Sequence, residues 1–459
     1  MSTPSNINNL LIFKNSQGTE ARGTLLKLSR TTIVFEVYNP YSIVQLSEVL
    51  QELKIFRGEQ PIYEGKAVVS NLMNTGLMLV VSATLVDSWS DLTESIESQR
   101  DLEKETHAFI SAWKDTHKLR PGYQIAVEKI RSFLGEMSGW LEQIDLRVDD
   151  ENYDQSKLIN EMEPPIVPFI SNLVSAFEEE ARKVPENETA IHKQFAQKDI
   201  HPFVMTSPFT YRTFHKPLGY AGDYEMVNMI MRNPHEGSTI YTKLMNAISL
   251  YAGPALAHRN RITILENKLN KLVEKAQNSN STIKILNIGC GPAVEVQQFI
   301  RNNPLSKHCQ FRFIDFNEET INYTKEKIEQ AMGESNNHAD CLFIQQSVHN
   351  LLKLAAKKEQ ITDLEQFDFL YCAGLFDYLS DKVCASLLKL FTQHTKPGGT
   401  VLVTNVHPSN PYTLWMEHIM EWYLIYRDEN KMIDLSKNLG ERKIYLDESG
   451  INIFMELKK

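Results

Sequence analysis

Cysteine is scarce in this chain, and no metal or disulfide pattern is visible. The five cysteines in 459 residues are odd in number, and no two have the C-x-x-C spacing. Most lie in apolar, strand-like segments, where buried free thiols are common. The histidines lack the spacing of zinc ligands. We therefore expect free thiols and no bound metal.

Long apolar runs and excess positive charge are also lacking. There is no stretch of about 18 apolar residues and no charged-then-apolar leader, so we expect a cytoplasmic protein without a membrane span. The formal net charge of −10 gives no general attraction to nucleic acid or to an anionic membrane. With 42% apolar and 23% charged residues, the composition is that of a globular protein, and the length predicts two or three domains.

The residue pattern divides the chain into three parts. Residues 1–90 contain short β-rich runs separated by turn residues, which predicts a small antiparallel barrel or sandwich. Residues 91–277 have a helical period and predict a bundle. A polar linker, "QNSNST", covers 277–282. Residues 278–459 alternate strands and helices, which indicates a parallel sheet with crossover helices.

Two segments of the middle part predict amphipathic helices. The leading prolines of "PPIVPFISNLVSAFEEEARKV" (164–184) suit a helix N-terminus, so we expect a helix that begins there. Residues 126–144 place seven apolar residues on one helical stripe: Val127, Ile130, Phe133, Leu134, Met137, Leu141 and Ile144.

"ILNIGCGPAVEV" (285–296) points most directly to a ligand. A buried strand leads into Gly289, Cys290 and Gly291, and a helix-like segment follows. Glycine permits positive φ and lets a ligand approach the backbone, while a helix N-terminus offers free N–H groups. Dinucleotides and S-adenosylmethionine (SAM) both bind such turns. Because Ala293 stands where a third glycine would be, the turn alone does not separate these ligands.

The later strands favour a nucleoside ligand. "FRFID" ends at Asp315, where a carboxylate can bridge two ribose hydroxyls. A third strand ends at Gln346, Ser347 and Val348, which we expect beside an adenine. "FDFLYC" is a fourth strand, "KPGG" predicts a tight turn before a fifth, and the chain closes on a hairpin that turns at Gly450.

This layout resembles the class I SAM-dependent methyltransferase fold over about residues 283–459. The resemblance implies a Rossmann-like α/β domain with SAM as its cofactor. Asn287 stands where that family has an acidic residue, and an amide lacks the charge that attracts the cofactor's ammonium group. A dehydrogenase is the alternative, but no Tyr-x-x-x-Lys pair is visible. The expected cofactor-binding residues are Asn287, Gly289, Cys290, Gly291, Asp315, Phe316, Ser347, Val348 and Ala373.

A narrower resemblance includes "GYAGDYEMVN" (219–228) and "HRNRITIL" (258–265). Together with "NIGCGPAVEVQQFI" and "FIDFNEET", these segments are similar to bacterial methyltransferases assigned to the synthesis of 3-hydroxypalmitic acid methyl ester. The resemblance implies methyl transfer to a small-molecule acceptor, the carboxylate of a 3-hydroxy fatty acid or a related acid. Such a carboxylate is ionised at neutral pH and needs no general base.

The acceptor site is expected beyond the carboxyl ends of the fourth and fifth strands, with the "GYAGDY" loop closing over it. Each residue also has a structural alternative, such as helix capping for Asp223 or a solvated helix face for the arginines. The expected catalytic or aligning residues are Tyr220, Asp223, Tyr224, Asp377, Tyr378 and His407. The expected acceptor-binding residues are Arg259, Arg261, Phe376 and Asn405.

The N-terminal part resembles a PilZ domain, a small barrel whose active members bind cyclic di-GMP through an R-x-x-x-R arm. "KLSRTT" (27–32) keeps Ser29 of the nucleotide-binding strand, but the arginine clamp is missing. We therefore expect a structural or docking barrel that does not bind cyclic di-GMP. The alternative function is a regulatory binding protein in which a PilZ-like input domain controls an inactive SAM-binding fold.

Overall fold

The computed structural model describes residues 10–16, 18, 20–37, 44–57, 60–74, 79–87, 89, 110, 119–146, 155–277, 282–357 and 366–459. Within these residues the multidomain architecture predicted from the sequence is confirmed: an antiparallel barrel, a helical middle part and a C-terminal α/β part. The predicted linker lies mostly outside the described residues, because 278–281 are not among them.

The described N-terminal strands form a closed antiparallel barrel in the order β1-β2-β3-β6-β5-β4. Alternate side chains point inward because successive residues of a strand face opposite sides, as the strictly alternating burial of β6 illustrates. Phe13, Phe35 and Tyr63 are among the largest residues of this core. The strands are β1 (Leu10–Lys14), β2 (Glu20–Leu28), β3 (Thr32–Val37), β4 (Val49–Arg57), β5 (Gln60–Asn74) and β6 (Leu79–Leu85).

The middle part is helical, as predicted. On the first helix, five residues of the predicted stripe are buried and the other two, Phe133 and Ile144, are partly buried against the same core. The helices are α1 (Pro121–Asp145), α2 (Gln155–Ala181), α3 (Thr189–Val204), α4 (Pro208–His215), α5 (Tyr224–Met231), α6 (Ile240–Tyr251) and α7 (Gly253–Gln277).

The start predicted for α2 is wrong. The helix begins at Gln155 and runs through Pro164, Pro165 and Pro168. Each proline lacks an N–H group, so each removes one hydrogen bond of the helix. Burial of Ile159 before the prolines and of Ile170 and Val174 after them holds both halves against one core. Tertiary packing therefore outweighs the local preference for a helix start.

The C-terminal part is a seven-stranded sheet in the order β12-β13-β11-β10-β7-β8-β9. β13 runs antiparallel to both of its neighbours, and β7 to β11 are parallel. The strands are β7 (Ile283–Ile288), β8 (Cys309–Asp315), β9 (Asp340–Gln345), β10 (Phe367–Cys372), β11 (Thr395–Val406), β12 (Glu441–Leu446) and β13 (Asn452–Lys458). The helices are α8 (Val294–Asn302), α9 (Glu318–Ser335), α10 (Val348–Lys357), α11 (Asp381–Gln393), α12 (Thr413–Ile419) and α13 (Glu429–Leu435).

The "KPGG" turn differs from its prediction. β11 already begins at Thr395, and the turn residues lie inside the strand as an irregularity of the pairing with β10. Gly398 has φ +81° there, a conformation that glycine adopts without strain. The terminal hairpin agrees with the prediction, because Gly450 has φ +71° between β12 and β13.

A buried polar network joins the helical part to the segment after α12. The ammonium group of Lys193 on α3 lies 2.7 Å from Glu421 Oε2, and it also donates to the hydroxyl of Tyr423. Gln197 donates to the other oxygen of Glu421 at 2.8 Å. Burial raises the pKa of Glu421, but the pairing with Lys193 outweighs burial, so that the net pKa is lowered.

In the part of the chain that the structure describes, no helix combines the length and apolar character needed to cross a bilayer.

Lys193→Met should destabilise the protein by about 3 kcal/mol, because it leaves the buried Glu421 carboxylate without its counter-charge. Urea unfolding followed by tryptophan fluorescence measures the loss. The double variant Lys193→Met/Glu421→Gln should recover part of it. A single variant as stable as the parent would contradict a structural role for this pair.

Candidate active site

The glycine turn after β7 has the backbone that close ligand approach requires. Gly289, Gly291 and Ala293 have φ values of +65°, +51° and +49°. The amide groups of Gly289 and Cys290 donate to the carbonyl of Ile314 at 2.8 and 3.2 Å, which fixes the turn against β8. A Cβ atom at Gly291 would meet nothing within 4 Å, so open space lies beside this residue.

Asp315, the last residue of β8, faces the same turn. Its Oδ2 accepts from the Gly291 amide at 3.3 Å, and Oδ1 accepts from the Asn317 amide at 3.1 Å. Burial raises the pKa of Asp315 to about 6, although these hydrogen bonds act in the opposite direction. The carboxylate is therefore ionised at neutral pH and able to accept hydrogen bonds from hydroxyl groups.

A cavity of about 220 Å³ connects the glycine turn with the helical part. Part of its wall is the carboxyl edge of the sheet, with polar groups from β7, β8 and β10. Another part is mainly apolar and comes from the helices and from the segment after α12. The apolar wall includes Ile130, Leu134, Ile170, Val174, Val204, Phe209, Met226, Ile230, Met245, Ile248, Trp415, Met416, Met420, Trp422 and Leu424.

Most residues predicted for the site lie in the wall of this cavity, although they come from six separate segments. The residues that do so are Tyr220, Tyr224, Arg261, Asn287, Gly289, Cys290, Gly291, Asp315, Phe316, Val348, Ala373, Asp377 and Tyr378.

Two predicted residues act as helix caps and lie outside the cavity wall. The side chain of Asp223 accepts from the Met226 amide at 2.8 Å at the start of α5, and it pairs with Arg212 at 2.8 Å. Ser347 accepts from the Asn350 amide at 3.2 Å at the start of α10. Both oxygens therefore satisfy helix N-termini, as the structural alternative for Asp223 anticipated.

Phe376 and Asn405 also lie outside the wall, and both accept hydrogen bonds from Arg427. The buried guanidinium of Arg427 donates to the Phe376 carbonyl and to Asn405 Oδ1, each at 2.7 Å. The ring of Phe376 is fully buried in the core beneath the sheet. Asn405 donates to the carbonyl of Ile425 at 2.7 Å. These contacts fix the segment that carries Asp377 and Tyr378.

Arg259 and His407 do not line the cavity and make local contacts instead. Arg259 donates to the carbonyl groups of Ile230 and Leu250, at 3.3 and 2.8 Å. His407 Nδ1 lies 2.8 Å from Ser409 Oγ within its own loop. Neither side chain reaches the residues that face the glycine turn.

The "GYAGDY" loop closes over the glycine turn. The ring of Tyr220 packs on Phe316 with centroids 5.1 Å apart, and its hydroxyl lies 3.5 Å from that of Thr320. A Cβ at Gly222 would lie 2.7 Å from the hydroxyl oxygen of Tyr378, so glycine permits this close approach. Tyr378 also accepts from the indole N–H of Trp422 at 3.0 Å.

Glu295, in the first turn of α8, is a cavity residue that the sequence reading missed. Its Oε1 accepts from Asn287 at 3.2 Å and from the hydroxyl of Tyr371 at 2.7 Å. Burial raises its pKa, while the two hydrogen bonds and the charge of Arg261 act to lower it. The sequence did contain a signal for Glu295, because an acidic residue follows the glycine turn directly, eight residues after Asn287.

Arg261 on α7 is a buried cation of the same cavity wall. Its guanidinium has no hydrogen bond or ion pair with any residue in the described ranges, although it is only 7% exposed. A Cβ at Gly374 would lie 3.1 Å from Arg261 Nη1, and Gly374 has φ +102°. Glu295 and Arg261 thus bring opposite charges to one cavity without pairing directly.

Comparison with known proteins assigns the C-terminal part. Residues 279–445 match a family model described as a methyltransferase domain. The match confirms the predicted methyltransferase fold and enzyme class for this part of the chain. No curated protein matches the chain.

Several solved structures are similar to the chain at low identity. A possible exported protein from Bordetella parapertussis is 15% identical with a TM-score of 0.40, and the alignment covers 53% of this chain and 81% of that one. Magnesium protoporphyrin IX methyltransferase from Synechocystis PCC 6803, with bound S-adenosylhomocysteine, is 11% identical with a TM-score of 0.33 and coverages of 44% and 84%. The N-methyltransferase NodS from Bradyrhizobium japonicum WM9 is 15% identical with a TM-score of 0.30 and coverages of 44% and 87%.

Gly222→Ala should cost about 1–3 kcal/mol, because the new methyl group overlaps the hydroxyl of Tyr378. Thermal unfolding checks this loss. Gly222→Ala/Tyr378→Phe should recover only part of this loss, since the next contact is 3.4 Å away but the hydrogen bond from Trp422 is removed. If the double variant is no more stable than Gly222→Ala, the close approach of the loop to Tyr378 is wrong.

Proposed function

We propose that this protein transfers the methyl group of SAM to the carboxylate of an elongated apolar acid, a 3-hydroxy fatty acid or a related acid. The observation that carries the proposal is the continuity of one cavity from the glycine turn into an apolar wall built by helices α1 to α6, α12 and the segment after it. Burial of each methylene group of an acyl chain contributes about 0.8 kcal/mol. An apolar wall of this extent therefore favours an aliphatic acceptor over a polar one.

The polar groups of the cavity suit an acceptor that is already ionised. Bound SAM supplies an activated methyl group, so the protein has to align the acceptor rather than deprotonate it. Asp377 Oδ1 accepts from the Val406 amide at 2.6 Å, and burial raises the pKa of this carboxyl group to about 6. An acceptor that is already ionised does not require Asp377 to act as a base. Burial raises the pKa of Tyr378, so its hydroxyl stays neutral and can donate to an acceptor oxygen.

The residues around the glycine turn suit the cofactor. We assign the ribose hydroxyls to Asp315, whose carboxylate faces the turn, and the amino-acid end to the space between Glu295 and Arg261. Glu295 would take the place of the acid that β7 lacks at Asn287 and hold the ammonium group. The free guanidinium of Arg261 suits the cofactor's carboxylate, since guanidinium groups bind carboxylates in bidentate geometry. This assignment replaces the expectation that Arg261 holds the acceptor.

The reaction is tested by incubating the protein with isotopically labelled SAM and straight-chain acids of increasing length, with and without a 3-hydroxyl group. Mass spectrometry should detect labelled methyl esters, with turnover rising with chain length. Transfer to amines or alcohols in preference to the acids would contradict the proposal.

Val174→Phe should shift the preferred acid to a shorter chain, because the larger side chain fills part of the apolar wall. Relative kcat/KM values across the same acids measure the shift. Ala176→Phe on the exposed side of α2 is the matched control and should leave the preference unchanged. An unchanged preference in Val174→Phe would mean that the acyl chain lies elsewhere.

Glu295→Gln should weaken S-adenosylhomocysteine binding about tenfold or more, because a charge-assisted hydrogen bond to the ammonium group is lost. Calorimetry with 5′-methylthioadenosine, which lacks the amino-acid end, should show unchanged affinity. Asn287→Asp/Glu295→Gln should recover binding, since it returns an acid to β7. Equal losses for both ligands would contradict the assignment of Glu295.

A further inference from the structure

Residues 44–49, which lead into β4 of the barrel, contact two segments beside the cavity: the "GYAGDY" loop and the segment after α12. The amide of Val49 donates to the carbonyl of Gly219 in the "GYAGDY" loop at 2.8 Å. Ser47 Oγ donates to the carbonyl of Tyr423 at 2.9 Å and accepts from the amide of the same residue. Leu46 and Val49 pack with the ring of Tyr423 and with Tyr378. The barrel is therefore joined to the residues that form the acceptor side of the cavity.

A buried carboxylate fixes the shape of residues 44–49. Glu48 accepts from the amide and the hydroxyl of Ser16, at 2.6 and 2.7 Å, and from the amide of Gln45 at 2.6 Å. Ser47 has φ +60°, a left-handed conformation that these contacts maintain. Such a segment is held in a single conformation rather than adapting freely to its neighbours.

Gln45 is the residue that this conformation presents to the cavity. It lines the wall together with Tyr220, Tyr378 and Trp422, and it is 9% exposed. Its backbone is satisfied by Glu48, but its side-chain amide has no hydrogen-bond partner within the residues that the structure describes, and the amide atoms remain open to the cavity. An amide that faces an open cavity and has no protein partner is available to donate to a ligand that binds there.

We propose that the barrel forms part of the acceptor site, and that the Gln45 amide donates a hydrogen bond to an oxygen of the acceptor's head group. Residues 44–49 hold the two segments beside the cavity while Gln45 contacts the ligand directly. This inference rests on the proposed function for the class of acceptor. It gives the N-terminal part a role that does not involve a nucleotide.

The test uses the full-length protein and the variant Gln45→Met, which keeps the length of the side chain and removes the amide. With S-adenosylhomocysteine present, calorimetry should show that 3-hydroxyhexadecanoate binds the variant about tenfold more weakly, the change expected for one lost hydrogen bond. Hexadecanoate, which lacks the hydroxyl group, distinguishes the two head-group oxygens: an equal loss for both acids assigns the contact to the carboxylate, and a larger loss for the hydroxy acid assigns it to the hydroxyl. The affinity for S-adenosylhomocysteine and the thermal midpoint should not change.

Gln51→Leu is the matched control, because Gln51 belongs to the same barrel and does not line the cavity. Unchanged acid affinity in Gln45→Met would overturn the inference while leaving the proposed reaction intact. If the parental protein binds the acids but does not methylate them, the proposed reaction fails and the role of Gln45 is still decided by the binding data. A parental protein that binds neither acid would overturn both.

Discussion

Parallel strands bring their carboxyl ends to one edge of a sheet, and the polar half of the candidate site depends on this constraint. The order β10-β7-β8 places β7 at the position where the chain crosses from one half of the sheet to the other. Ligands of open α/β sheets bind at such a position. The glycine turn after β7, Asp315 after β8 and Asp377 after β10 all follow from this arrangement. The helical part then closes the edge and adds the apolar wall.

Local patterns were sufficient to predict the strand-end residues. Each of these residues comes directly after an apolar run that predicts a strand, as Gly289, Gly291 and Asp315 show. Because the predicted strands are parallel, their carboxyl ends and these residues are expected at one edge of the sheet. The capping role of Asp223 was also visible in the sequence, because an aspartate before a helical run satisfies free N–H groups. The fold and much of the cavity wall are therefore available from short-range information.

The remaining features depend on contacts that a local pattern does not contain. Asn405 is a polar residue near the carboxyl end of β11, but its side-chain oxygen accepts a hydrogen bond from the buried Arg427. Glu295 could only be assigned once its hydrogen bond with Asn287 was known. Ser47 and Tyr423 are separated by 376 residues in the chain. Nothing near position 47 in the sequence indicates that the barrel reaches the cavity.

This separation has a consequence for the order in which the protein becomes complete. The barrel leaves the ribosome before the helical and α/β parts and has a closed core of its own, so it can fold before they do. The segment around Tyr423 is synthesised much later than Ser47, and contacts distant in sequence form slowly because a long chain must close. The side of the cavity that contacts the barrel can therefore be assembled only after the chain between Ser47 and Tyr423 has been made. Until then, the apolar surfaces of the helical part that face the cavity remain uncovered and available to chaperones.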